Sequence, residues 1–255
     1  MSAPPFLLAE TTWKTVMRTD YEVAVLPWGA TEAHNYHLPY ATDVIQCDYI
    51  AAESARKASE RGAHVVVLPT VPFGVNTGQL DIKLCINMNP STQAAVLGDV
   101  VDSLAGQGIR KIVVLNGHGG NDFRAMIREL QPVFPDVFLS AVNWYQLGNP
   151  EEVFDEVGDH AGEMETSNLM HIAPHLVLPL SAAGAGKERH FRLKGLRDGI
   201  AWAPRQWSKV TEDTGVGDPR KATAEKGSRY LAIVTDAIAD FLVEMSEADV
   251  DGLYE

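Results

Sequence analysis

The sequence predicts an α/β domain built on a mostly parallel sheet covered on both faces. Three observations lead there. Short apolar runs such as Val23-Ala24-Val25-Leu26 and Val65-Val66-Val67-Leu68 are too brief for helices and too uniformly apolar for a half-exposed sheet. Amphipathic stretches of ten or more residues separate such runs. No composition shift, linker or internal repeat divides residues 1–255, so a single domain is expected to span them.

Taken in order, residues 23–27 read as a buried strand and 43–61 as a helix stopped by Gly62. Residues 64–69 are a second strand. Residues 91–106 carry Ala95, Leu97, Val101 and Leu104 at helical spacing, and 111–115 are a third strand. A helix over 121–130, a strand over 137–142, a helix over 162–172 and a long helix over 222–246 follow. Residues 181–219 have no clean period and hold Trp202 and Trp207. A long irregular stretch inside a domain is usually functional or contact-forming, so both tryptophans are expected against the body or a neighbouring subunit.

Composition narrows the function. The chain has 45% hydrophobic and 22% charged residues, which excludes collagen-like, coiled-coil and disordered readings. Its net charge of −13 argues against a broad nucleic-acid or membrane surface, so neither partner is expected. Cys47 and Cys85 form no CxxC pair, which leaves out a disulfide framework and a thiolate zinc site. The N-terminal residues lack a basic segment followed by a long apolar one, and no run reaches ~18 apolar residues, so a cytoplasmic protein is expected.

Three polar clusters follow strands or open a helix, where sites in parallel sheets form. After the first strand, Glu32 and His34 are two apart and point the same way on an extended segment, with Asp43 at a helix start. Glu, His and Asp together suit a divalent metal. His37 competes as a ligand or holds the turn, and Asp43 alternatively caps the helix. After the third strand, His118 lies among Gly117, Gly119 and Gly120. G-x-G-x-x-G spacing is absent, so a metal ligand fits better than a dinucleotide loop, with helix capping as the plain alternative. Asn116 and Asn121 either orient this loop or are turn residues. The third cluster offers His160, Glu163 and Glu165; the two glutamates sit at i and i+2 of a helix, so their roles should differ.

Together these residues resemble the creatininase family of metal-dependent amidohydrolases. The family's E-x-H-x-x-H-L-P-x-x-T-D block stands at residues 32–43, its N-G-H-G-G-N block at 116–121, and its H-A-G-E-x-E-T-S block at 160–167. A late motif, GDPRKATAEKG, stands at 217–227. The resemblance implies an α/β/α sandwich, two divalent metals per subunit (Zn, Mn or Fe) and a homo-oligomer, often a hexamer. By position, Glu32 and His118 would hold one metal, His34 and Glu163 the other, and Asp43 both. Glu165 would be a structural acid and His160 the proton donor. Creatininases of the N-G-H-Y-E-N type take a glutamate just after the histidine, where this chain has Gly119 and Gly120.

Asn35 replaces a family glycine, and residues 73–90 also depart from the family pattern, so creatinine itself is not the expected substrate. Asn35, Asn76 and Gly119 are the expected substrate contacts. The reading is a hydrolase in which metal-activated water cleaves a carbon–nitrogen bond of a small cyclic amide or formamide. The alternatives are a peptidase, a carbon–carbon hydrolase of an oxidised cyclitol, and a non-catalytic metal-binding protein.

Overall fold

The computed structural model describes residues 5–254. A short helix, α1 (Trp13–Val16), precedes β1 (Val23–Trp28), α2 (Thr42–Glu60), β2 (Val65–Val67) and α3 (Pro90–Ala105). Then come β3 (Lys111–Asn116), α4 (Phe123–Leu130), β4 (Phe138–Asn143) and α5 (Glu163–Ile172). Two short helices, α6 (Lys194–Arg197) and α7 (Trp207–Val210), lead to the long α8 (Ala224–Glu247). Every predicted strand and long helix is present within a few residues of its expected bounds.

All strand pairs are parallel, in the order β2-β1-β3-β4. Side chains alternate between faces along each strand. Val23, Val25, Val113 and Leu115 therefore pack with Ile50 and Ala55 of α2 and Leu231, Val234 and Ile238 of α8. Ala24, Leu26, Ile112 and Val114 pack on the other face with Leu97 and Val101 of α3 and Phe123 of α4. Helices thus cover both faces, as the continuous apolar strands require. Pro27 is tolerated in a central strand because odd residues of β1 bond toward β2, and β2 ends at Val67, so Pro27 needs no ladder donor.

The chain leaves β1 toward one edge through β2 and toward the other through β3, which puts the topological switch point between the carboxyl ends of β1 and β3. Trp28 and Asn116 are register partners there, and ligand sites in open α/β sheets form at such a crevice. α5 reaches the same edge and packs chiefly on α8. The helices meet so closely at Gly227 that a Cβ would strike the Ser167 carbonyl.

The stretch 181–219 is more ordered than its sequence suggested. It holds α6 and α7, a bridge from Val216 to His160, and a buried Asp213 that accepts from Thr211 Oγ1 and the Gly186 and Gly215 amides. Trp207 packs on the His160 ring at 4.8 Å. Trp202 departs from the first part of that expectation: it is 86% exposed and does not pack on the body of its own chain. Among the described residues no helix is long and apolar enough to cross a membrane.

Candidate metal centre

The loop after β1 carries Glu32 and His34 into the crevice, and the loop after β3 carries His118; all three are buried. Asp43 lies one residue inside α2, whose N-cap is Ala41, so its carboxylate is not a capping group. Asp43 Oδ1 instead faces His34 Nε2 at 3.0 Å, and Oδ2 faces His118 Nδ1 at 3.2 Å. That second approach is outside hydrogen-bond geometry, so Asp43 Oδ2 is a buried oxygen with no hydrogen-bond partner. Asn116 fixes the glycine loop: its Oδ1 accepts from the His118 amide and Asn121 Nδ2, and its Nδ2 donates to the His118 carbonyl. Gly117, Gly119 and Gly120 have no positive φ. Gly117 and Gly120 are there for space, since a Cβ would strike Cys47 and Trp144 at the first and the Val75 carbonyl at the second, while the Cβ position of Gly119 is open.

Each histidine of the cluster is anchored on a main-chain carbonyl. His34 Nδ1 donates to Glu32 O (3.2 Å), His118 Nε2 to Val75 O (3.1 Å) and His160 Nε2 to Ala33 O (2.9 Å). A carbonyl only accepts, so those nitrogens carry the hydrogen and each ring turns its other nitrogen toward the carboxylates. His118 Nδ1 lies 2.8 Å from Glu32 Oε1, His34 Nε2 3.7 Å from Glu165 Oε1, and His160 Nδ1 3.9 Å from Glu32 Oε1. With neutral rings, lone pairs face lone pairs in a buried site, an arrangement that needs protons or cations between them. Anchoring one ring nitrogen so that the other presents a lone pair is how metal-binding histidines are oriented.

The electrostatics follow. Burial pushes Glu32 and Asp43 up, but the imidazoles outweigh it and hold both below the usual carboxylate range. Burial pushes Glu165 up too, yet His34 above all brings it to about 2. Burial pulls His34 and His118 down, and the carboxylates override it to hold both well above the usual imidazole range. Three groupings could hold a metal: Glu32 with Asp43 and His118, His34 with Asp43 and Glu165, and Glu32 with His34 and His160. The first two share Asp43. Imidazole nitrogen with carboxylate oxygen suits Zn, Mn or Fe.

Glu163 does not join the cluster, contrary to expectation. Its carboxylate accepts from Lys226 Nζ of α8 and from the Glu156 amide, which ties α5 to α8. Glu165 points the other way into the cluster and accepts from the Ala161 amide at 2.6 Å. Ala161 has φ +50, a conformation that costs about 1–3 kcal/mol and aims that amide back at Glu165. Asn35, expected to touch substrate, holds a loop instead: Oδ1 accepts from the Gly184 amide, and its own amide donates to Thr214 Oγ1. His37 bonds Thr166 Oγ1 at 2.8 Å, outside the cluster. Asn76 and Gly119 line a cavity of about 560 Å³ over Glu32, Asp43, His118, His160 and Glu165.

Sequence reasoning missed Gln79 and Arg205, and it expected Trp207 against the body without placing it on His160. Gln79 Nε2 donates to Glu32 Oε2, and Gln79 Oε1 accepts from Cys85 Sγ at 3.2 Å. Arg205 lies 4.7 Å over the Trp207 ring, which backs His160. Gln79 stands inside 73–90, the segment that departs from the family pattern, and that departure was the available signal.

An acid- and histidine-rich cluster at the switch point of a doubly covered parallel sheet defines a class of metal-site α/β proteins. Within it, this chain belongs to the creatininase family: the family profile, described as creatinine amidohydrolase, matches residues 9–242. A mycofactocin precursor peptide peptidase of Mycobacterium ulcerans (strain Agy99) is 28% identical over 234 residues, spanning 88% of this chain and 83% of that protein. A crystal structure of a Bacteroides fragilis NCTC 9343 protein, provisionally described as a creatinine amidohydrolase, aligns with TM-score 0.93 and 45% identity over 98% of this chain and 99% of that one. A creatininase variant described as Zn–Zn type aligns with TM-score 0.80 and 21% identity over 96% of this chain and all of that one, a likeness of fold alone.

Proposed function

We propose that residues 1–255 act as one metal-dependent amide hydrolase domain holding two divalent cations. Glu32 and His118 would hold one, His34 and Glu165 the other, and Asp43 both. The observation that carries this reading is the set of three carbonyl-anchored imidazoles whose free nitrogens converge on three carboxylates. When bound, such a pair lowers the pKa of a shared water and polarises the substrate carbonyl. The chain's own residues do the rest. His160 faces the cavity with Nδ1 while Ala33 O steadies its Nε2–H, so the ring can hold a proton at Nδ1 and pass it to the departing nitrogen. Trp207 and His34 pack on the ring at 4.8 and 4.2 Å and fix its plane. Gly119 leaves open the wall against which the scissile group would rest.

A peptide or formyl amide suits the site better than a compact cyclic amide, because the cavity of about 560 Å³ is larger than a single small ring requires. The name of the mycobacterial relative supports the same choice. Self-association belongs to the proposal. Trp13 and Leu80 are 72 and 71% exposed, large apolar side chains that a second copy would cover. A scattering mass near the 27.8 kDa of one chain would overturn that part. The main test is metal analysis after dialysis, followed by assay of formamides, cyclic amides, diketones and short peptides with Zn, Mn or Fe. Cleavage of an amide that chelator abolishes and metal restores is the expected result. Full metal loading with no turnover on the whole panel would favour a non-catalytic metal-binding protein.

A further inference from the structure

A second cavity, of about 790 Å³, adjoins the first. Both are lined by Asp159, Trp202, Ala203, Pro204 and Arg205, so the second space lies directly beside the metal-site cavity. Charge distinguishes this second space from the rest of the molecule. Residues 187–209 hold seven of the chain's 21 Lys and Arg and two of its 34 Asp and Glu. The acids of the groove are already engaged. Arg205 pairs with Asp159 at 2.6 Å and with Glu188 at 3.4 Å, and His190 lies 3.6 Å from Glu188. Arg192, Arg197 and Lys209 line the groove and take no part in any ion pair among the described residues. Arg197 Nη1 donates to the carbonyls of Phe191 and Arg192, so its guanidinium is positioned by main chain and keeps its other donors free.

We propose that this groove binds an anionic group on the substrate, a carboxylate or phosphate, remote from the bond that is cut. The preferred substrates are then elongated amides with an acidic end. The inference rests on the amide-hydrolase reading above for the location of the scissile bond. A positioned guanidinium beside a second unpaired cation recognises carboxylate or phosphate through charge-assisted hydrogen bonds. A concave wall in which cations outnumber acids also gathers anions that the −13 chain would otherwise repel.

Three probes test it on the metal-loaded full chain by calorimetry: acetyl-trialanine with a free carboxylate, its C-terminal amide, and acetyl-Ala-Ala-phosphoserine amide. The free acid, the phosphopeptide or both should bind about tenfold or more tightly than the neutral amide at low salt, and which of them does identifies the source of the anion. In Arg192→Gln/Arg197→Gln, and in wild type at high salt, the gap should shrink to about threefold or less. Both arginines are exposed, so melting temperature and metal content should stay at wild-type values. Equal binding of all three, a gap that survives the double variant, or no binding of any probe overturns the proposal. Assay of the same probes for metal-dependent cleavage separates the two readings. Selective binding without cleavage would defeat the hydrolase reading and leave the anion groove standing.

Discussion

The floor of the cavity and its outer wall are built by different means. The floor consists of residues at strand ends and helix starts: Glu32, His34, Asp43 and His118 are all buried, and every imidazole is fixed by a main-chain carbonyl. The wall comes from 187–209, an irregular and largely exposed stretch whose cations are mostly exposed side chains. Chemistry that depends on placement within half an ångström belongs on rigid elements, and recognition that must vary between substrates belongs on loops. Mutations in the floor should therefore change metal content and turnover, and mutations in the wall away from Trp207 should change substrate preference alone.

The largest expected effect is at Asp43. Asp43→Asn removes a charge shared by both cation positions, and closely spaced cations repel strongly without it. Metal analysis after dialysis should show both positions depleted and activity gone, whereas Glu32→Gln and Glu165→Gln each weaken mainly one. Glu163→Gln sharpens the comparison, because it should keep both metals and lower the melting temperature through loss of the Lys226 contact. Wild-type metal content in Asp43→Asn would remove the shared position from the scheme.

His160 comes next, since it belongs to the floor yet leans on Trp207 of the wall. His160→Ala should retain both metals and lose on the order of 10²–10⁴ in kcat. Loss of a stoichiometric metal in this variant would make it a ligand instead. Gln79→Ala should cost less, about 10–100-fold in metal affinity or activity, because it only orients Glu32. An unchanged metal dissociation constant and an unchanged kcat together would count against that role.

The smallest effect is a pH dependence at His37. Burial, and then the neighbouring His34, lower its pKa from 6.5 to about 4. The unfolded chain therefore binds a proton below pH 6.5 that the folded chain refuses until about 4. This contribution to stability is present above 6.5 and is lost as pH falls through that window. His37→Gln should lower the melting temperature at pH 7 through the lost Thr166 bond, yet lose less on acidification than wild type. Parallel curves for the two proteins would refute the assignment.

Much of the fold was legible because buried parallel strands leave an unmistakable apolar signature, and Gly62, at φ +93, ended α2 where predicted. The floor was legible for a related reason: polar residues directly after such strands have few structural duties. The choice between Glu163 and Glu165 was not legible. Helical geometry says that they diverge, but which side faces the crevice depends on Lys226, more than sixty residues later, docking beside one of them. Asn35 misled for the opposite reason. A polar residue next to ligand-type neighbours was read as a substrate contact, while its φ of +54 and its bonds to Gly184 and Thr214 make it a hinge pin of the wall. The ordering of 181–219 was hidden because Asp213, not an apolar period, gathers it.

The close crossing of α5 and α8 at Gly227 bears on how the protein is made. Synthesis from the N-terminus makes Glu32, His34, Asp43, His118 and Glu165 before any of α8. Yet the helix that carries Glu165 packs chiefly on α8, and Glu163 lacks its lysine partner until Lys226 arrives. A growing chain thus displays most of its cation donors on an open sheet edge while the last wall is still untranslated. The centre closes only once α8 has docked on α5, and metal captured before then would sit in a half-built, exchangeable site.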